Sequence, residues 1–294
     1  MRGFGSRNAG DAALFGPEGP VSGSILGGGA DPAIAAAATE LGASGASTRV
    51  IEVSIGDAQA VAAGLACGGT ADVIVSSMGS IPPAWWQALA ARTPVALVTD
   101  LPAGVAHVVD AADADVDDDI AALFAARRPV VEVSAQRVVE IWWPTPTVLV
   151  LGDADLAGAL RRQGNLLGWD VLLDDASDPG RATQTAAELG PSDVLVVLSH
   201  DHERATPALA AALEGRAGFV GALGSRHTQA ERREKLVQAG VGPDHLARLH
   251  GPVGLDIGAR TPEEQAVAIC AEAVAVRSGR SGTSLTTGSG PING

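Results

Sequence analysis

The sequence predicts an α/β protein of two domains, the second of them built on a parallel sheet. Short apolar runs of strand length alternate with alanine-rich stretches of helical period through residues 50–276. The stretch opening at Thr147 reads strand, glycine turn, helix, second strand, the outline of a dinucleotide-binding unit. Gly 37 and Pro 17 in 294 residues give the turn density of a chain with many connections, not of a helical bundle. Together they define a Rossmann-like parallel-sheet carboxy-terminal domain plus a smaller α/β amino-terminal domain.

Taken in order, the strand-like runs are Val50–Val53, Asp72–Val75, Val95–Val98, Val130–Val133, Thr147–Leu151, Val171–Leu173, Val194–Leu198 and Gly218–Val220. Helical period appears in Asp57–Ala66, Leu156–Leu167, Pro207–Leu213 and Glu263–Val276. Because strand and helix alternate, parallel sheets are expected throughout. Trp142-Trp143-Pro144-Thr145-Pro146 breaks both periods and is followed at once by a fresh strand. It separates a domain over 1–140 from one over 146–276. Residues 277–294 have no apolar periodicity and are expected to be a disordered tail. The acidic run Asp110–Asp119 reads as a solvated loop entering a helix, where carboxylates favour the first turn.

Composition narrows the partners. A net charge of −14 disfavours nucleic acid and anionic membrane surfaces, so an anionic ligand has to be held locally by helix amino termini and single arginines. Two cysteines, Cys67 and Cys270, give neither a disulfide framework nor a paired metal motif, which implies a reducing compartment. No apolar run approaches membrane-spanning length, and Met1-Arg2 leads into a polar Gly- and Ala-rich stretch instead of a secretion signal. A cytoplasmic location is expected.

Residues that serve chemistry better than packing concentrate in the second domain. In VLVLGDADLAGAL the positions of G-x-G-x-x-G/A are filled by Gly152, Ala154 and Ala157, with Asp153 and Asp155 interleaved. The added methyl and the two carboxylates oppose a diphosphate, so the fold signal is stronger than the nucleotide signal. Asp174 and Asp175 stand where an acidic residue takes a ribose hydroxyl. Val194–Leu198 runs into Ser199-His200-Asp201-His202 at the edge where such sheets bind ligands. An extended chain puts His200 and His202 on one face, compatible with a metal, but no Cys or Glu at suitable spacing completes a ligand set and none is assigned. From Gly218 to Glu264, glycines, Arg226, His227, His250, Asp256 and Arg260 fill two polar segments that read as converging loops.

The first domain carries two glycine-rich loops. Gly23-Ser24-Ile25-Leu26-Gly27-Gly28-Gly29 leads into Asp31-Pro32 and a helix that Asp31 is expected to cap, which makes an anion cradle. Cys67-Gly68-Gly69-Thr70 places a thiol in a glycine turn, where amide dipoles favour a nucleophilic, metal-binding thiolate. Cys270 lies among alanines and valines and is expected in the core.

These segments resemble the XdhC/CoxI family of molybdenum hydroxylase accessory proteins, whose pattern GALGSR…HGPIGLDIGA…TPEEIA is matched from Gly221 to Glu264. The first loop is similar to that family's G-S-V-S-G-G-C-V-E, with Gly29 in place of its Cys and Asp31 in place of its Glu. The second is similar to C-G-G-T-hydrophobic-E, with Asp72 for Glu, and Ser199–His202 is similar to T-H-D-H. The resemblance implies a molybdenum-cofactor (molybdopterin)-binding factor that helps mature a xanthine or CO dehydrogenase-type client. Cys67 would be its reactive thiolate. Gly27, Gly28, Gly68, Gly69 and Gly152 would offer backbone contacts, and Asp174, His200, Arg226, Asp256 and Arg260 would line the second domain's ligand edge. Gly29 removes any role that needs two thiols acting together. The competing expectation is an NAD(P)-dependent oxidoreductase reusing the scaffold; a third is a partner-binding scaffold anchored by Trp85-Trp86 and Trp142-Trp143. Turnover and a homodimer are left open by the sequence.

Overall fold

A computed structural model describes residues 2–3, 10–101, 103–111, 113, 117–152, 155–199 and 201–287. The chain forms two compact units, Met1–Pro144 and Thr145–Gly294.

The first unit comprises β1 (Arg2–Gly3), β2 (Ala13–Gly16), β3 (Gly19–Gly23), α1 (Asp31–Ser44), β4 (Thr48–Ile55), α2 (Asp57–Ala62) and β5 (Gly69–Ser76). These are followed by α3 (Pro83–Ala90), β6 (Val95–Asp100), β7 (Val105–Asp110), α4 (Asp118–Ala125), β8 (Val130–Val133) and β9 (Arg137–Trp142). Its sheets run β1-β5-β4, β2-β3 and β7-β6-β9-β8. Every pairing in them is antiparallel. The expectation of parallel sheets fails here for a steric reason. Segments 101–104 and 134–136 are too short for a crossover and permit only hairpins, and α2 between β4 and β5 makes a corner.

Ile34, Ala37 and Leu41 of α1 pack on Val53, Ile55, Ala71 and Val73. The four-stranded sheet is covered on one face by Ile120 and Phe124 of α4 and on the other by Trp85 of α3. Trp142 and Trp143 pack against these two opposite clusters, so among the tryptophan pairs only Trp86 is largely exposed. The acidic run does start a helix: Asp117 caps α4 by accepting from the amides of Asp119 and Ile120. A hydrogen bond from Arg137, with the amide of Ile120, holds the Asp117 carboxyl below its usual range. Asp31, by contrast, does not cap α1. Ala30 takes that position, and Asp31 is the first helical residue.

The second unit comprises β10 (Thr147–Leu151), α5 (Asp155–Leu166), β11 (Asp170–Asp174), α6 (Pro179–Ala187), β12 (Val194–Val197) and α7 (His202–Glu214). It continues with β13 (Phe219–Ala222), α8 (Arg226–Gln238), α9 (Pro243–Leu246), β14 (Leu249–His250) and α10 (Pro262–Arg277). Five strands in the order β11-β10-β12-β13-β14 form a wholly parallel sheet. Such a sheet needs cover on both faces. Leu209, Leu213 and Leu236 of α7 and α8 cover one, and Leu156, Leu160, Ile269 and Cys270 of α5 and α10 the other. The run Val171–Leu173 forms the edge strand, which leaves Leu172 and Leu173 substantially exposed instead of buried. Burial pushes the Cys270 thiol up to about 11, as a core position requires.

Glu140 on β9 is flanked by Leu97 on β6 and Val131 on β8. Burial raises its carboxyl to about 7. The folded state therefore holds this proton more tightly than the unfolded chain does. Stability from the neutral form is fully present below the unfolded value and is lost as pH rises through about 7. Glu140→Gln is expected to stabilise the protein by up to about 3 kcal/mol above neutral pH and by little near pH 4. Thermal unfolding across that range checks it: a pH-independent difference removes the explanation.

Candidate functional site

In the first unit the two glycine loops lie at opposite ends of α2, the first against Ala63 and the second against Ile55 and Asp57. The turn Leu26–Gly28 has positive φ at Leu26, Gly27 and Gly28. A Cβ on Gly27 would lie 2.1 Å from the Ala63 carbonyl oxygen, so only glycine fits that approach. A Cβ on Gly68 would lie 2.4 Å from the Ile55 oxygen, and the Gly68 amide donates to Asp57 Oδ1 at 2.9 Å. Gly69 begins β5 opposite Ile55. Cys67 is a free, exposed thiol between α2 and this pairing. Gly29 has φ −63, and a Cβ there would sit 2.8 Å from Ile55 Cδ1 and 3.6 Å from Ala63 Cβ. Asp72 stands exposed on β5 opposite Glu52.

In the second unit Gly152 and Asp174 meet at a cavity of about 430 Å³ lined by Gly152, Ala157, Gly158, Leu173, Asp174, Asp175, Ser177 and Arg181. The Gly152 amide donates to the Asp174 carbonyl at 2.8 Å. Gly152 has φ +124, and a Cβ there would come within 3.2 Å of the Ser199 nitrogen. The Asp174 carboxylate is only 9% exposed; its Oδ1 accepts from the Ala176 amide at 2.8 Å and its Oδ2 pairs with Arg181 at 3.1 Å. Each oxygen thus has one partner within the protein. Asp175 is exposed, and hydrogen bonds from the Ser177 hydroxyl and amide hold its carboxyl below the usual range. Arg181 escapes a reading confined to the glycine turn and the acidic pair. Its signal is the Asp178-Pro179 start of α6, which puts Arg181 in the first turn of that helix.

The remaining expected residues line other strands. Asp174 ends β11, whereas Arg226 opens the helix that follows β13, three strands across the sheet. Arg226 is exposed at the start of α8, behind the capping hydroxyl of Ser225. Arg260 is exposed, and its amide donates to Glu264 Oε2 at 2.7 Å beside the capping box of Thr261 and Glu264. Asp256 is exposed on the same loop. Asp153, Ala154, His200 and the His202 side chain lie outside the described residues. Among the described residues no group of three His, Cys, Asp or Glu side chains is arranged to hold a metal.

Two further residues organise this edge. Glu272 of α10 accepts from His250 Nδ1 at 2.9 Å and from the Gly254 amide at 2.6 Å, and His250 stacks on Phe219 at 4.6 Å. Burial works to raise the Glu272 carboxyl, but the hydrogen bonds from His250 and Gly254 outweigh it and the net shift is downward. Arg232 of α8 is fully buried and donates to the Leu223 carbonyl at 3.0 Å, to Gln229 Oε1 at 2.9 Å and to the Ser199 carbonyl at 3.4 Å. Neither residue stands out in sequence. Glu272 reads as one polar position in an apolar helix, and Arg232 as one charge in a charged one.

A parallel sheet covered on both faces, with a glycine turn at its first strand and a cavity at the ligand edge, defines a Rossmann-type domain. Residues 148–273 match the family described as the XdhC Rossmann domain. An uncharacterised Escherichia coli protein, YqeB, is 28% identical over 156 residues, covering 47% of this chain and 28% of YqeB. The Escherichia coli molybdenum cofactor insertion chaperone PaoD is 29% identical over 134 residues, covering 46% of this chain and 41% of PaoD. The matches thus span less than half the length of these relatives. A crystal structure described as a xanthine dehydrogenase from Bacillus halodurans aligns with TM-score 0.47 and 18% identity, over 87% of this chain and 83% of that one.

Removing Arg232 strips hydrogen bonds from two strand-end carbonyls and from Gln229 in a dry interior. Arg232→Ala is expected to cost about 3 kcal/mol or more, and Arg232→Lys to recover only part of that, because an ammonium lacks the fork geometry. Urea denaturation measures it. A loss below about 1 kcal/mol would show the network to be dispensable.

Proposed function

We propose that this chain binds the molybdenum cofactor and serves as an accessory factor in the maturation of a molybdenum hydroxylase of the xanthine or CO dehydrogenase type. The observation that carries the reading is Cys67, an exposed thiol in a glycine turn whose Gly68 approaches the Ile55 carbonyl. It sits in a chain whose other unit matches the XdhC Rossmann family and which is similar to an insertion chaperone. The chemistry of the donor is apt: a thiolate suits molybdenum or its sulfur. Bound cofactor would bring a redox-active metal and its sulfur. The protein's part is to offer Cys67 Sγ as a soft ligand and to keep Gly27, Gly28, Gly68 and Gly69 free of side chains around it. Among the described residues no helix is long and apolar enough to cross a membrane.

An oxidoreductase reading draws on the cavity beneath Gly152. Against it, the Asp174 carboxylate is already engaged by Arg181 and Ala176. Calorimetric titration with NAD(H) and NADP(H) separates the two: micromolar affinity would put the oxidoreductase first.

Cys67→Ser is expected to lower retention of molybdenum by roughly tenfold or more while leaving pterin binding nearly unchanged, as read by metal analysis and pterin fluorescence after gel filtration. Equal metal retention would strip Cys67 of the role. Gly29→Cys is expected to fold, because Gly29 has φ −63 and the nearest atom is the flexible Cδ1 of Ile55. A second thiol beside the same loop should raise molybdenum retention, and an unchanged value in a folded variant would remove the two-thiol argument.

A further inference from the structure

The parallel sheet of the second unit ends differently on its two sides. β14 closes one edge with only two residues, and so short a strand offers little for another chain to pair with. β11 closes the other with five, Asp170–Asp174, and pairs only with β10. The Asp170 amide donates to the Pro146 carbonyl and the Asp174 carbonyl accepts from the Gly152 amide, so the even-numbered residues of β11 bond inward. The N–H and C=O groups of Val171 and Leu173 therefore point away from the sheet, and among the described residues no other strand meets them. Exposed edges are normally guarded by lysine, proline or a bulge. This one has none of the three. Its apolar character is instead extended: Leu172 is 47% exposed and Leu173 40%, while Leu166 at 82% and Leu167 at 42% stand where α5 turns toward the strand.

We propose that the β11 edge receives an extended segment of a partner protein, which adds a strand to the five-stranded sheet. The charges around the edge define what that segment carries. Asp170 opens the strand and Asp174 and Asp175 close it, while one cation, Arg181, serves the latter two by pairing with Asp174 and acting on Asp175 through its charge. The bracket is net negative, on a chain whose net charge is −14. Asp170, Leu172 and Asp174 share one face of the strand, and Val171 and Leu173 the other. The complementary segment is apolar at its centre, with Lys or Arg at both ends opposite Asp170 and Asp174. A second copy of this chain fits less well. Antiparallel pairing that sets Leu172 against its counterpart also sets Asp170 of each copy against Asp174 of the other, like charge on like. The surface goes beyond the cofactor reading and rests on neither Cys67 nor bound cofactor.

The test is titration of the full chain, isotope-labelled for NMR, with the end-blocked peptide Gly-Lys-Val-Thr-Val-Lys-Gly and with its counterpart carrying Glu for Lys. The Lys peptide is expected to bind about tenfold or more tighter than the Glu peptide, and to slow hydrogen exchange at the Val171 and Leu173 amides. Methylated peptides separate main-chain pairing from charge attraction. N-methyl groups on both Val, or on Thr alone, are expected to give opposite results, one abolishing binding and the other sparing it, because only alternate residues of a strand face its neighbour. Leu172→Lys should weaken the Lys peptide by about tenfold with little change in thermal unfolding, since Leu172 is half-exposed at an edge. Binding that tolerates both methylated peptides overturns the proposal, as does equal affinity for the Lys and Glu peptides or no binding at millimolar concentration. Sedimentation addresses the other occupant: a dimer that Leu172→Lys disperses would give the edge to a second copy and overturn the partner assignment.

Discussion

Arg232 carries a cation into the interior of the second unit, and its hydrogen bonds there run to carbonyl oxygens and to Gln229, not to a carboxylate. Desolvation lowers its pKa, the mark of a charge held against solvation cost. The geometry explains why it is tolerated. Ser199 and Leu223 follow neighbouring strands β12 and β13, where main-chain carbonyls run out of strand partners. One planar fork reaches both, and Gln229 extends the network to the Ala222 carbonyl at 3.0 Å. The strand ends from which the Ser199 and Gly224 loops depart are thus tied to side chains of α8.

In the first unit, fit is achieved by subtraction. Gly27 and Gly68 approach the carbonyls of Ala63 and Ile55 so closely that any side chain would collide with backbone. The loops are therefore located by main-chain packing, and Cys67 is presented by a frame that does not rely on flexible side chains. Asp57 contributes twice, as an acidic residue in the first turn of α2 and as acceptor for the Gly68 amide. Local helix chemistry and loop placement are the same interaction.

Much of the second unit was legible because periodicity and covalent order say the same thing there. Thr147–Leu151, Val194–Leu198 and the helices between them read directly as a parallel sheet, and burial on both faces left no ambiguity. The first unit misled because alternation of strand and helix does not reveal how strands pair. Val105–Asp110 and Arg137–Trp142, with His107 and Glu140 among their valines, lacked the continuous apolar character that marks a central strand, and without them the hairpins could not be seen. At the cavity, Gly152 and the acidic pair were legible, but the cation that pairs with Asp174 was not. It is Arg181, seven residues beyond Asp174 in sequence and 3.1 Å away in space. Glu272 and Arg232 were invisible for a related reason, since their partners include main-chain groups of loops distant in sequence.

The two thiols of this protein differ in more than position. Cys270 is enclosed by α5, β10 and β12 side chains and keeps its proton up to about pH 11, whereas Cys67 stands in solvent. A maleimide or a spin label added at neutral pH therefore has one address. The native chain, without substitution, accepts a reporter beside the glycine loops, and changes around those loops become visible by fluorescence or resonance while the rest of the molecule stays silent.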